Sequence, residues 1–371
     1  MTPDTLARLR LARTEGIGPL TFRKLIARHR DPEAALAALP ALSTTRATPY
    51  QPPPAAEAER EGAALAQLGG RFVFLDDPLY PPLLALLPDA PPVIAVLGDA
   101  PLLAAPAVAV VGARNASAAG RRVAEQLAEA LAGKGLTVVS GLARGVDTAA
   151  HEGALRSGGT IAVLPGGIDV PYPPENAGLA ARIAGRGAVV AESPLGTAPL
   201  NRHFPRRNRI VAGLSLGVVV VEAAHRSGTL ITARLALEHG REVFAVPGSP
   251  LDPRCRGSND LIRQGAHLVE TAEDVLDHLP DAPRAGPLFD PSRMAPANAE
   301  TAPEAADPLG PPPEGTGEVL ELIGMSPVSV DEVLRRCHLT APELQAVLTD
   351  LELEGRVELL PGHRVMRSAN G

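Results

Sequence analysis

Four arginines fall within nine residues in Asn201-Arg202-His203-Phe204-Pro205-Arg206-Arg207-Asn208-Arg209. A guanidinium keeps its charge and offers a planar fork of donors that fits phosphate oxygens two at a time, so the run reads as a phosphate or nucleic-acid contact. A solvated loop whose arginines pair with nearby carboxylates fits the same residues. Lys24 and Lys134 are the only lysines among 35 Lys and Arg residues. Arginine abundance here therefore fits a coding bias, and the clustering carries the signal.

Short turns rich in glycine and hydroxyls are the second feature. They are Gly112-Ala113-Arg114-Asn115-Ala116-Ser117, Ser140-Gly141-Leu142-Ala143-Arg144-Gly145, Pro165-Gly166-Gly167, Ser227-Gly228-Thr229 and Pro247-Gly248-Ser249, with Glu192-Ser193 and Glu222-Ala223-Ala224. Glycine lets a ligand backbone approach closely, and helix starts at Ser117, Asp147 and Ser227 add N–H groups that favour anions. Any one of these turns is explained by tight strand-to-helix geometry. Together they read as an anion-binding edge.

Catalytic and cofactor patterns are missing. No GxGxxG follows the first strand of the central segment, Ser140 stands where an NAD site would place an acidic residue, and the Walker pattern is absent. Asp147 and His151 lie one helical turn apart, but they read as a helix cap and a packing or surface residue, so no metal site is expected. Ser227 has no histidine or lysine poised as its base, and a phosphate-binding turn explains it more simply. No catalytic residue, cofactor or enzymatic role is expected.

The elements that must position these residues follow from apolar periodicity. Residues 61–280 alternate short Val/Ile/Ala runs with amphipathic stretches, which predicts α/β structure with a doubly wound, Rossmann-like parallel sheet. Strands are expected at Val108–Val111, Thr137–Ser140, Thr160–Leu164, Ala188–Ala191, Gly217–Val221, Glu242–Val246 and His267–Val269. Helices are expected at Ala118–Ala132, Asp147–Arg156, Pro174–Ala184, Arg207–Leu214 and Gly228–His239. In such a sheet ligands bind beyond the carboxyl ends of the strands, where the turns above fall.

Residues 1–60 predict a small helical domain plus linker. Helical periodicity over residues 5–40 is interrupted at Glu15-Gly16-Ile17-Gly18-Pro19 in a helix-hairpin-helix-like pattern, and the prolines at 49 and 52–54 suggest a linker over 41–58. Residues 281–316, rich in Pro, Ala and Glu, read as a tether. Residues 317–371 predict a winged-helix-like domain, with helices at Glu318–Ile323, Val330–Cys337 and Pro342–Glu354 and a hairpin around Pro361-Gly362. Its candidate recognition helix carries Glu343, Asp350, Glu352 and Glu354, which favours a protein contact over DNA.

Composition excludes several classes. Cys255 and Cys337 form no CxxC or Cys/His cluster, so neither a disulfide scaffold nor a zinc site is implied. No apolar run approaches the roughly 18 residues of a membrane helix, and no signal peptide opens the chain, so a cytoplasmic protein is expected. Net charge is −7. A positive site must therefore come from local clustering.

Ordered motifs then carry a resemblance. They are Ser140-Gly141-Leu142-Ala143-Arg144-Gly145-Val146-Asp147, Ala150-His151-Glu152-Gly153-Ala154-Leu155, Tyr172-Pro173-Pro174-Glu175-Asn176, the stretch Phe204–Ser215, Ser227-Gly228-Thr229-Leu230-Ile231-Thr232-Ala233 and Gly240–Ser249. Over about residues 70–270 the chain resembles the DNA processing protein A (DprA, or Smf) family. That resemblance implies a homodimeric single-stranded DNA-binding protein of natural transformation that protects incoming strands and helps load RecA recombinase. The family's Gly-Ser/Thr-Arg turn falls on Gly112, Ala113 and Arg114, with Ala113 departing from the usual hydroxyl. Its basic position ahead of Phe-Pro falls on Arg202, and its Arg-Asn-Arg on Arg207-Asn208-Arg209.

The DNA-contacting set expected on these grounds is Gly112, Arg114, Gly141, Arg144, Gly166, Arg202, His203, Arg206, Arg207, Asn208, Arg209, Ser227, Gly228 and Thr229. Arg114, Arg202 and Arg209 are expected on phosphates, with N–H groups from Gly141, Gly166 and Ser227-Gly228. Arg206 and Arg207 fit carboxylate pairing with Glu192 or Glu222 as well. Few aromatics are available for base stacking, so weak sequence preference is expected. A nucleotide hydrolase of the lysine-decarboxylase-like group shares a Pro-Gly-Gly turn, but Ile168-Asp169-Val170-Pro171-Tyr172 lacks that group's catalytic continuation.

Overall fold

The computed structural model describes residues 1–42, 49–225, 227–280, 316–324, 327–353, 356–360 and 364–367. The expected tether, apart from Thr316, and the turn at Pro361-Gly362 lie outside these residues, as does Glu354. Contacts divide the chain into two units. One begins at Arg60 and holds a nine-stranded sheet; the other holds the first three helices and the C-terminal elements.

The N-terminal helices are α1 (Pro3–Ala12), α2 (Pro19–His29), α3 (Pro32–Leu42) and α4 (Ala55–Gln67). Leu9, Leu11, Leu25 and Leu39 are fully buried. Gly16 turns the chain between α1 and α2 with φ of 84°, a conformation that favours glycine. Helix α4 runs across residue 60, where the sequence suggests a boundary, and it begins inside the expected linker.

The strands of the large sheet are β1 (Arg71–Phe74), β2 (Val93–Gly98), β3 (Ala107–Val111), β4 (Thr137–Ser140), β5 (Thr160–Leu164), β6 (Ala188–Ala191), β7 (Gly217–Val220), β8 (Glu242–Ala245) and β9 (His267–Leu268). Their order is β1-β2-β6-β5-β4-β3-β7-β8-β9. From β6 to β9 all pairs are parallel. Every residue of β3 and β5 is buried, as a strand covered on both faces requires. All seven expected strands form, within about a residue at each end. The pair β1 and β2 is additional; it joins β6 antiparallel, and no strand was expected there.

Helices α5 (Pro82–Ala85), α6 (Ala118–Gly133), α7 (Val146–Ser157), α8 (Ala177–Arg186), α9 (His203–Gly213), α10 (Gly228–Glu238), α11 (Arg256–Arg263) and α12 (Ala272–Leu276) surround the sheet. One face buries Ile161, Val163, Ile210 and Val211 together. The other buries Val108, Val110, Leu127 and Leu131. Helix α9 begins four residues before the expected Arg207. Pro205 sits in its first turn, where a missing N–H costs nothing because those donors have no intrahelical partner. From His203 onward the arginine run is thus helical, with Arg202 as its cap.

Strand order fixes where a ligand can sit. From β3 the chain passes through α6 to β4 on one side, and after β6 it returns through α9 to β7 on the other side of β3. The carboxyl ends of β3 and β7 therefore open a crevice at the topological switch point.

The C-terminal elements are α13 (Thr316–Leu322), β10 (Val328–Ser329), α14 (Val330–Arg336), α15 (Ala341–Leu353), β11 (Val357–Leu360) and β12 (Arg364–Arg367). Three helices and a β10-β12-β11 sheet make a winged helix around Val319, Leu348, Leu351 and Val365. Strand β10 is absent from the expectation. The acidic face expected on α15 is partly committed elsewhere: Glu343 accepts from the Thr340 N–H and hydroxyl, each at 2.7 Å, and Glu352 is buried.

Candidate nucleic-acid interface

The phase of α9 sorts the arginine run onto two faces. Phe204, Arg207, Asn208 and Val211 point into a cleft at the β3–β7 switch point. Arg202, Arg206 and Arg209 follow at intervals of three and four on a different face, and none of them lines that cleft.

On that second face Arg209 departs from expectation. Its side chain is 8% exposed, its Nη2 meets Glu192 Oε1 at 2.6 Å, and its Nη1 donates to the Asp89 carbonyl at 2.6 Å. A guanidinium so enclosed has its donors spent inside the protein and is a fastening for the start of the 192 loop, not a phosphate contact. Arg206 is exposed and lies 3.7 Å from the same Glu192. Arg202 stands exposed at the start of α9 with no hydrogen bond or ion pair among the described residues. Beside it, His203 accepts from the Leu200 N–H at 3.3 Å, and partial burial, then the Arg202 and Arg206 charges, hold its pKa below the ordinary value.

The cleft has a volume of about 340 Å³ and is bounded by Gly112, Arg114, Asp147, Phe204, Arg207 and the turn Ser227–Thr229. Arg207 forms its floor. It is buried, its Nη1 donates to the Val163 carbonyl at 3.3 Å, and its Nε has no hydrogen-bond partner among the described residues. Burial pulls its pKa down, the Asp147 charge opposes that, and the Arg114 charge adds to it. Asp147 is raised above the usual carboxylate range by burial, against the pull of Arg207 and of backbone donors.

Several turn glycines serve the protein itself. A Cβ on Gly141 would run into the Arg207 guanidinium, so this glycine makes room for that side chain. The Gly141 N–H is also taken, donating to Asp147 Oδ2 at 3.1 Å, with Ala143 N–H at 3.3 Å. Asp147 therefore closes its own preceding loop, and the helix cap is Gly145. Gly166 lies buried under the Thr197 carbonyl and Pro199. Of the two glycines expected to offer N–H groups to a strand, Gly141 thus has its N–H engaged within the protein and Gly166 is buried. Gly112 packs against Val146, whereas a Cβ on Gly228 would meet nothing within 4 Å, and Gly228 lines the cleft.

The Ser227 turn is firmly held. Ser227 Oγ accepts from the Thr229 N–H at 3.0 Å, Thr229 Oγ1 donates to the Gly112 carbonyl at 3.0 Å, and Asn208 Nδ2 reaches the Gly228 carbonyl at 3.4 Å. Across the switch point, Glu222 accepts from Ser117 N–H at 2.9 Å and Ser117 Oγ at 2.5 Å. These bonds preset the crevice walls before any ligand arrives. His151 is wholly buried, with Nδ1 2.7 Å from Thr160 Oγ1. Among the described residues no cluster of three or more His, Cys, Asp and Glu is placed to hold a metal ion, and no helix is long and apolar enough to cross a membrane.

An aromatic platform at the rim went unrecognised in the sequence. Arg114 is exposed and lies 4.8 Å over the Phe204 ring, which meets Tyr172 edge-on at 5.7 Å between centroids. With Asn115, Arg144 and Gly141 these three line an adjoining hollow of about 380 Å³. Arg144 is exposed there and paired with Glu175. The motifs contain both Tyr172 and Phe204, yet only the fold makes them neighbours.

Residues 71–280 match the family model described as DNA recombination-mediator protein A. Residues 2–64 match a DprA-like N-terminal HHH domain, and residues 301–363 a DprA winged helix domain. Protein Smf of Escherichia coli is 40% identical over 307 residues, which is 80% of this chain and 78% of that protein. The DNA processing protein DprA of Streptococcus pneumoniae is 48% identical over 206 residues, 55% of this chain and 72% of that protein. The X-ray structure of DprA from Streptococcus pneumoniae aligns with a TM-score of 0.64 at 35% identity, covering 76% of this chain and 99% of that one. A structure of DNA processing protein A from Helicobacter pylori, described for its single-stranded DNA binding mode, aligns with a TM-score of 0.51 at 31% identity, covering 56% of this chain and 94% of that one.

Proposed function

The chain belongs to the DNA processing protein A (DprA/Smf) family, and from that membership together with the site's geometry we propose that it binds single-stranded DNA at the β3–β7 switch point. One observation carries the reading: an exposed guanidinium, Arg114, lies over an aromatic ring, Phe204, at the mouth of a cleft with a preset hydroxyl- and glycine-bearing turn. A strand needs that pairing. Its phosphates require fixed cations, and its unstacked bases require a ring or guanidinium plane to lie against.

In this account Arg114 and the free Arg202 bond phosphates, Gly228 and Thr229 border the backbone, and Phe204 and Tyr172 take bases. Asp147 and Arg207 hold the floor in shape. A duplex keeps its bases stacked inside and gains nothing from the platform, so single strands are preferred. The family further supports protection of incoming strands during transformation, a homodimer built on the Rossmann-like domain, and delivery of the bound strand to RecA. Light scattering tests the dimer, and RecA assembly on strands already held by this protein tests the delivery.

The binding reading is tested with labelled single- and double-stranded oligonucleotides across a salt series, comparing wild type with Phe204→Leu. Single strands bind more tightly, and affinity falls as salt rises. Losing one stacked base costs about 1 to 3 kcal/mol, so Phe204→Leu weakens single-strand binding about fivefold or more. Equal, salt-insensitive binding of both forms, unaffected by the substitution, overturns the reading.

A further inference from the structure

Helices α6 and α7 pack so closely that a Cβ on Gly153 would run into the Glu125 carbonyl. Above this contact lies a groove of about 740 Å³ that the sequence motifs do not announce. Five arginines and two glutamates line it: Arg114, Arg121, Arg122, Arg144 and Arg156 against Glu125 and Glu152. Both carboxylates are already answered. Arg156 pairs with Glu125 and with Glu129, and Arg182 grips Glu152 through two bonds of 2.8 Å. Arg121 and Arg122 are exposed on α6, and their side chains have no ion pair or hydrogen bond among the described residues.

The groove is continuous with the site above. Arg114 lines the cleft, the aromatic hollow and the groove, and Asn115 and Arg144 line the last two. Two adjacent cations whose side chains have no ion pair among the described residues, on an acidic protein and in a groove continuous with the cleft, call for an anion that continues out of the cleft. We propose that the strand bound in the cleft runs on along the α6–α7 groove, where Arg121 and Arg122 bond the phosphates that lie beyond Arg114. This rests on the cleft reading and adds a second contact zone to it. The groove carries no ring among its lining residues, so it grips backbone and is indifferent to bases.

The test uses the full chain, wild type and the double variant Arg121→Ala/Arg122→Ala, with oligothymidylates from about 4 to about 16 nucleotides, the span that single-strand sites cover. Wild-type affinity rises with length beyond the shortest strand that binds. The variant matches wild type on that shortest strand and falls behind on longer ones. Each lost phosphate contact flattens the salt slope by about 0.7, so two flatten it by about 1.4, which at 0.1 M salt amounts to about 25-fold in affinity. Both arginines are exposed, so the fold is retained, and circular dichroism checks that. Equal affinity of variant and wild type at every length overturns the groove alone, as does the same loss at every length. Failure of wild type to bind any strand at low salt overturns the cleft reading and the groove with it.

Discussion

Arg209→Ala separates an architectural arginine from a DNA-binding one. The substitution removes the 2.6 Å ion pair to Glu192, the 2.6 Å bond to the Asp89 carbonyl and the 3.5 Å approach to Asp89 Oδ2. Breaking a buried ion pair by deleting one partner costs about 3 to 5 kcal/mol. Glu192 is 17% exposed and Arg206 stands 3.7 Å away, so water and that second cation recover part of the loss and the lower figure applies. For a unit of this size each kcal/mol lowers Tm by about 2 to 4 °C, which gives a fall of about 6 to 12 °C. Thermal and urea unfolding measure it, alongside strand binding at a temperature where both proteins are folded. The salt slope of binding is expected to stay that of wild type. An unchanged Tm with a slope flattened by about 0.7 would refute the architectural role.

Two further predictions concern groups around the cleft. Burial, then the Arg207 charge, pushes His151 down to about 3. The unfolded chain takes up that proton near pH 6.5 and the folded chain does not, so the stability His151 contributes is complete above about 6.5 and is lost between about 6.5 and 3. Asp147, raised by burial, works in the opposite sense, because protonation in acid relieves a charge that the folded state buries. Comparing wild type with His151→Gln by urea unfolding cancels that contribution; the stability difference shifts against wild type by about 1.4 kcal/mol for each pH unit below 6.5. A constant difference over pH 6.5 to 5 would mean that the folded imidazole titrates normally. Glu175→Gln releases Arg144 from its exposed pair, leaving stability within about 1 kcal/mol. The freed guanidinium joins the phosphate contacts, so strand binding tightens and its salt slope steepens by about 0.7; an unchanged slope would place Arg144 off the strand's path.

What the sequence discloses depends on how local each cause is. Strands β3, β5 and β7 are legible because burial on both faces demands an unbroken apolar run. Val93–Gly98 is equally apolar, but Pro81, Pro82, Pro91 and Pro92 punctuate its approach as they would a loop, and its antiparallel partner is four residues long. In the arginine run, composition reveals the charge and conceals its direction. Pro205 masks the first turn of α9, and without that start the helical phase that divides Phe204, Arg207 and Asn208 from Arg202, Arg206 and Arg209 cannot be assigned. The burial of Arg209 depends on Glu192 and Asp89, which lie 17 and 120 residues away. Gly141 shows the same limit: as a turn residue it suggests room for a ligand, and only the fold reveals that Arg207 fills the space. Tyr172, on the loop after β5, and Phe204, in the first turn of α9, likewise meet beyond any local spacing rule.

Every part of the proposed strand path meets at Arg114, whose exposed guanidinium lines the cleft, the aromatic hollow and the groove. The most direct measurement is single-strand affinity against salt for wild type and Arg114→Ala, with unfolding curves to confirm equal stability. The substitution is expected to flatten the slope by about 0.7 for each phosphate that Arg114 contacts and to lower affinity at every strand length. An unchanged slope and affinity in a folded Arg114→Ala protein would contradict the placement of the strand at the β3–β7 switch point.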